Sequence, residues 1–381
     1  MDKIFYIALY LLGYKSTDLI DIMLKVPKEN LSSLFENDTI TNQFKYNINL
    51  TKLELIDNKI RELKLNEAKL IVDQSRKLGI KIIPYTNKYY PNQLKLIPDP
   101  PALLYIKGSY ITKSDKKSLG CVGSRKVTNF GATSSNLLVS ALTKENFTII
   151  SGLASGIDSY CHNACLNNGG KTIAVLAHGL DQIYPKENTA LAEKILANGG
   201  CLVSEYPIGT KIEKHRFVKR NRIIAALSQA VIIFESKEKS GSMHTVNYAL
   251  QYNKKVFCPQ PTFDGESITG LSYLINNNLA QPLKTRNDYR IVVKTLGYNL
   301  TSNLAQTQSV KNEIFNTFIN SNSEINIFDN IKNIEYDKYS SIKTNKETYK
   351  LFKEILNENG LTVKEFFNAI ILLIVNSYKR G

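Results

Sequence analysis

The chain lacks an apolar run long enough to cross a bilayer. Residues 1–12 and 366–375 are apolar but short, whereas a spanning helix needs roughly 20 such residues. No cleavage-site pattern follows the first stretch, so no signal peptide is expected and the reading is a soluble cytoplasmic protein. Histidine is scarce: the 4 present, His162, His178, His215 and His244, lie far apart in the chain. No carboxylate pair stands out either, which leaves little material for side-chain acid–base catalysis. His178 ends an apolar run before Gly179-Leu180-Asp181. A histidine so placed is more often a structural hydrogen-bonder than a catalyst. There is no Walker A lysine motif and no GxGxxG fingerprint, so the common nucleotide signatures are missing. The 5 cysteines are an odd count, and four of them sit in apolar strand or helix contexts, which argues for reduced core thiols rather than a disulfide framework. Cys161 and Cys165 flank His162, but no second ligand pair has zinc spacing, so no metal or cofactor is expected.

Positive charge is plentiful. The 381 residues carry a formal +15 at pH 7 and an isoelectric point near 9.3, which fits a polyanionic partner. Lysine and asparagine abound throughout, as an AT-rich genome would also produce, so charge alone does not decide the matter.

Periodicity divides the chain. Residues 4–12, 18–26 and 66–78 show apolar positions at helical spacing, 51–65 is a further amphipathic stretch, and Gly79 ends the last helix. This predicts a helical N-terminal domain over 1–85. A proline-rich connection then leads to an apolar run at 102–106. From 118 onward short apolar runs alternate with amphipathic stretches. Strands are expected at 118–122, 148–150, 172–177, 201–204, 231–234 and 255–258. Helices are expected at 131–144, 157–167, 188–198, 222–227 and 244–252. Continuous apolar strands alternating with helices predict an α/β fold: a mostly parallel, Rossmann-like sheet over 86–290, covered on both faces. Residues 291–345 read as a polar linker, partly helical around 310–319. Residues 346–381 read as a small helical domain with a helix-turn-helix corner at Asn359-Gly360.

Three strand-to-helix turns and one basic segment carry the functional signal. Gly123-Ser124-Arg125 combines a backbone that a ligand can approach closely with a guanidinium suited to phosphate. Ser151-Gly152-Leu153-Ala154-Ser155-Gly156-Ile157-Asp158 supplies small donors, and its glycines equally suit tight helix–strand packing. Ser240-Gly241-Ser242 offers hydroxyls and amides to an anion, or a plain helix cap. The segment from Lys211 to Arg222 places Lys214, Lys219, Arg220, Asn221 and Arg222 around Phe217. Cations that track phosphates beside a ring that stacks a base suit single strands. The alternative is a solvated loop with Phe217 tucked into the core. Open α/β sheets bind ligands beyond their strand C-termini, where these turns would lie.

At these residues the chain resembles the DprA/Smf family, the DNA-processing proteins of natural transformation. The resemblance rests on Val122-Gly123-Ser124-Arg125 with Gly131, on Ser151 to Asp158 with His162, and on Gly179-Leu180-Asp181 with Tyr184-Pro185. It continues through Ser204-Glu205-Tyr206-Pro207, Arg220-Asn221-Arg222-Ile223-Ile224 and Ser240-Gly241-Ser242. The family's FPxRNR reads Phe217-Val218-Lys219-Arg220-Asn221-Arg222 here, without the proline. Gln260 stands where a glycine is expected. Ser272, Asn278 and Leu279 replace the Asn, Gly and Ala of a later motif.

The resemblance implies an extended Rossmann domain that binds single-stranded DNA, usually dimerises, protects incoming strands and helps load the RecA recombinase, without a catalytic reaction. It implies DNA contacts at Arg125, Lys214, Phe217, Lys219, Arg220, Asn221 and Arg222, and phosphate-holding turns at Gly123, Gly152 and Gly241. It also implies that residues 351–381 correspond to a winged-helix end cut short before its wing. The competing reading is a nucleotide-binding or nucleoside-monophosphate-cleaving Rossmann enzyme or sensor. Such enzymes use a PGGxGTxxE loop. The matching place here, Lys239-Ser240-Gly241-Ser242-Met243-His244-Thr245, lacks that glutamate, and Glu235 comes too early.

Overall fold

A computed structural model describes residues 2–36 and 39–301. The expectations for a linker and a C-terminal helical domain fall almost wholly outside those residues. The helices of the first part are α1 (Asp2–Leu11), α2 (Ser16–Lys25), α3 (Thr39–Tyr46), α4 (Thr51–Glu54) and α5 (Asn58–Lys77). The amphipathic stretch at 51–65 is broken by Asp57, whose carboxylate accepts the Lys59 amide and caps α5. From there α5 runs unbroken to Gly79, which closes it at φ +69°.

The chain then enters the sheet through β1 (Ile80–Pro84) and β2 (Leu103–Gly108). It continues as β3 (Ser118–Val122), α6 (Asn129–Lys144), β4 (Thr148–Ser151), α7 (Ile157–Asn167), β5 (Thr172–Leu176), α8 (Thr189–Ala197) and β6 (Cys201–Ser204). The second half is α9 (Lys214–Leu227), β7 (Ala230–Ile233), α10 (Gly241–Gln251), β8 (Lys255–Pro259), α11 (Thr269–Asn276), β9 (Gln281–Leu283) and α12 (Tyr289–Thr295).

The sheet order is β1-β2-β6-β5-β4-β3-β7-β8-β9. From β6 to β9 every pairing is parallel, while β2 runs antiparallel to both β1 and β6. The expected mostly parallel α/β sheet is therefore present. Its central strands β3 to β7 are buried along their whole length, because helices cover both faces. One apolar core joins α1, α2 and α5 to β1, β2 and α8. The other packs α9, α10 and α11 against the sheet. The helical segment and the sheet thus share a core, and Met1–Asn299 forms one compact unit. No helix among the described residues is long and apolar enough to cross a membrane.

The basic segment is where the structure departs most from the expected elements. A helix was expected only from 222, but α9 begins at Lys214. Nothing between Glu213 and Arg222 breaks a helix, since the proline of the related motif is Val218 here. The helix escapes detection because its first half is largely solvent-facing and its second half, Arg220 to Leu227, is wholly buried. Neither half shows a 3.6-residue alternation. Lys254 fixes the far end, its ammonium donating to the carbonyls of Ala225, Ala226 and Ser228.

All five cysteines are free and buried. Burial pushes the thiols of Cys165, Cys201 and Cys258 up to about 12. His162 is fully buried as well. The Thr172 hydroxyl donates to the Ile149 carbonyl (2.8 Å), so it accepts from His162 Nδ1 (2.7 Å). His162 Nε2 finds no partner among the described residues. Burial, then the Arg220 charge, lowers the imidazole from 6.5 to about 3.

The unfolded chain therefore takes up this proton near pH 6.5, while the folded chain refuses it until about pH 3. Stability attributable to His162 is complete above 6.5 and falls at about 1.4 kcal/mol per pH unit in that window. Urea unfolding of His162→Asn, which keeps a donor for Thr172, should show a flatter decline between pH 6.5 and 4 than the parent. Parallel declines would contradict the assignment.

Candidate nucleic-acid interface

The strand order reverses around β3. The chain passes from β3 through α6 to β4 on one side, then returns to place β7 on the other. A crevice opens at such a switch point, outside the strand C-termini. Here it is a cleft of about 740 Å³. The turn after β3 gives it Gly123, Ser124, Arg125 and Lys126. α9 gives it Lys214, Phe217, Arg220 and Asn221. The start of α10 and the loop before it give Ser236, Lys237, Ser240, Gly241 and Ser242. Segments more than a hundred residues apart thus meet at one edge.

Each wall is held by specific bonds. The Ser124 amide donates to the Glu235 carbonyl (2.7 Å), and the Ile157 amide donates to the Ser124 carbonyl (3.0 Å). The first turn is thereby tied to both β7 and α7. Gly156 lies at φ +82°, and a Cβ there would sit 2.4 Å from the Ser124 carbonyl oxygen. Asn221 Nδ2 donates to the Gly241 carbonyl (3.1 Å), joining α9 to α10. The hydroxyls of Ser236, Ser240 and Ser242 lie 2.6–2.9 Å from one another at the α10 N-terminus. Free amides and a partial positive charge gather at such a helix end.

The open side is cationic and aromatic. Arg125, Lys126, Lys214 and Lys237 are exposed. The Arg125 guanidinium lies 5.7 Å from the centre of the half-buried Phe217 ring, within cation–π range. Phe217 meets Tyr184 edge-on, with ring centres 5.7 Å apart. The carboxylate lining the cleft, Asp158, is buried, and its Oδ2 accepts the amides of Gly152 (3.1 Å) and Ala154 (3.3 Å). Burial raises its pKa, opposed first by the Arg220 charge.

Several residues expected to contact a ligand do other work. Arg220 is 4% exposed. Its Nη1 donates to the carbonyls of Gly152 and Val175, and its Nε donates to Asn221 Oδ1 (3.2 Å). Burial lowers its pKa from 12.5 to about 10, with Asp158 resisting. A Cβ on Gly152 would lie 2.3 Å from that guanidinium, so this glycine makes room for arginine rather than for phosphate.

Arg222 faces away from the cleft. It grips Glu205 with Nη1 (3.1 Å) and Nη2 (2.7 Å) and Asp99 with Nε (3.1 Å). Burial alone would lower its pKa, but these carboxylates outweigh that and raise it. Lys219 lies 3.7 Å from Glu205 and lines a separate pocket with Tyr10, Tyr14 and Tyr206. Ser151 donates its hydroxyl to the Cys121 carbonyl (2.6 Å). Ser151, Gly152, Gly156, Lys219 and Arg222 are thus outside the cleft lining. The sequence reading missed Lys126, Lys237 and the cleft role of Tyr184. Tyr184 is carried by the loop after β5, and only Tyr184-Pro185 hinted at it. Glu235 is buried, and its Oε2 accepts the Thr128 amide (3.0 Å).

This combination defines an extended Rossmann-type protein with a cation-lined cleft at its sheet switch point. Residues 81–294, more than half of the chain, match the model of the DNA recombination-mediator protein A family, and the chain belongs to that family. It is similar to the DNA processing protein DprA of Bacillus subtilis, with 44% identity over 190 residues, 50% of this chain and 64% of that protein. The Smf protein of Synechocystis is 44% identical over 191 residues, 49% of this chain and 48% of that protein. The chain thus spans about half to two-thirds of the length of these curated relatives. Among solved structures, DprA of Streptococcus pneumoniae aligns with a TM-score of 0.59 at 27% identity, covering 74% of this chain and 94% of that one. DprA of Helicobacter pylori, described for its mode of binding single-stranded DNA, aligns with a TM-score of 0.51 at 30% identity, covering 58% and 97%.

Proposed function

We propose that this chain is a non-enzymatic, single-stranded-DNA-binding recombination mediator. It protects incoming strands during natural transformation and helps load RecA onto them, acting in the cytoplasm as a homodimer. One observation carries the reading: the switch-point cleft sets exposed cations beside aromatic rings. Cations follow a phosphate backbone, and rings stack unpaired bases without reading a base code. The ligand contacts are Arg125, Lys214 and Phe217, with Gly123, Ser124, Ser240, Gly241 and Ser242 receiving phosphate. Ser151, Gly152, Gly156, Lys219, Arg220, Asn221 and Arg222 hold the frame. Support also comes from membership of the recombination-mediator family and from the related Helicobacter pylori protein, described as binding single strands. The nucleotide-cleaving alternative gains nothing from Glu235, whose carboxylate is buried and engages a backbone amide.

The mediator role is tested by following RecA filament assembly on single-stranded DNA. Faster assembly in the presence of this protein is expected. Tight strand binding with unchanged assembly would remove the mediator role and leave the binding role standing.

A further inference from the structure

We infer that the strand path does not end in the cleft but passes Tyr184 into an adjoining pocket that receives a nucleobase. The inference rests on the single-strand reading above. Tyr184 is 42% exposed and Ile212 is 38% exposed, and both line the cleft and a second pocket of about 500 Å³. The two spaces therefore share a wall. Large exposed apolar groups at such a junction are ready to be covered by a ligand.

The chemistry of the second pocket differs from that of the first. Its apolar lining comes from Leu180, Ile183 and Leu202 together with Ile212. Its cations, Lys107 and Lys186, are matched by Asp181 and Glu193. Asp181 Oδ2 also accepts the Gly209 amide (3.1 Å). Phosphate would gain no net attraction there, unlike beside Arg125, Lys126, Lys214 and Lys237. A base would gain apolar burial and a ring to stack on, since every base has a π-face. Continuity selects the occupant. A strand whose phosphates lie against Lys214 and whose base meets Phe217 has Tyr184 as its next neighbour, 5.7 Å away between ring centres. Tyr184 thus separates two base subsites, with the cationic cleft on one side and the neutral pocket on the other.

The test uses the full chain and labelled oligothymidylates of graded length, from roughly 4 to 16 nucleotides, the span over which single-strand sites fall. Tyr184→Ala should lower affinity about tenfold for the longer strands, the usual scale of one lost stack, and leave the shortest as tightly bound as in the parent. The salt dependence should be unchanged, because no cation is removed. Tyr184→Phe should bind as the parent does, and Ile212→Ala should show a smaller loss of the same kind. Equal binding by Tyr184→Ala at every length would overturn the inference. So would an equal loss at every length, which would show that Tyr184 meets the strand only from its cleft side and that no base enters the second pocket. Absence of binding by the parent at any length would overturn the single-strand reading and this inference with it.

Discussion

Arg220→Ala is expected to destabilise the protein by about 3–5 kcal/mol, the usual consequence of leaving a buried charge without its partner. That is a large fraction of the roughly 5–15 kcal/mol that holds a domain together. The variant loses the bonds to the Gly152 and Val175 carbonyls and strands Asp158 in a buried position beside β4. Arg220→Lys should recover little, since one ammonium cannot reproduce a planar fork that reaches two carbonyls and Asn221 at once. Asp158→Asn in the Arg220→Ala background should recover part of the loss. It removes the unpaired charge while its amide oxygen still accepts from Gly152 and Ala154. Urea unfolding of the single and double variants checks this. A loss below about 1 kcal/mol for Arg220→Ala, the scale of an exposed ion pair, would show that the guanidinium is not the clamp described.

Arg125→Ala with Lys214→Ala should produce the largest fall in DNA affinity. Both residues are exposed and line the cleft, so their removal leaves the core untouched and the melting temperature nearly constant. Each neutralised phosphate contributes roughly 0.7 to the slope of log affinity against log salt for a single strand. The double variant should therefore lose about 1.4 from that slope. The loss should be the same for every sequence, because phosphate contacts carry no base information. Arg125→Lys should fall between parent and alanine, keeping the charge but losing the planar stack on Phe217. Titrations at several salt concentrations with thymine-, adenine- and cytosine-rich strands decide the matter. Unchanged affinity and slope would remove both residues from the interface.

Much of the sheet was legible in the sequence because β3 to β7 are buried on both faces and so read as unbroken apolar runs. The outer strands were not. β1 carries Lys81 and ends in Pro84, and β9 is Gln281-Pro282-Leu283. Both lie at sheet edges, where proline is tolerated and apolar alternation is not required.

The candidate site was legible as a set of turns, since glycine, serine and arginine after predicted strands mark the binding edge of an open sheet. The division of labour within it was not. Arg220 and Arg222 read as two more cations of a DNA-binding run, yet their burial is fixed by Gly152, Glu205 and Asp99, remote in sequence. Gly152 read as a phosphate turn because nothing local shows that a guanidinium occupies the space beside it. Long-range partners decide which member of a basic run faces solvent.

The most direct test of the central claim is fluorescence anisotropy of a labelled oligothymidylate and a matching duplex at two salt concentrations. Preferential binding of the single strand, weakened strongly by salt, is the predicted result. Absence of strand binding at low salt would contradict the account and leave the cleft as the site of a small ligand.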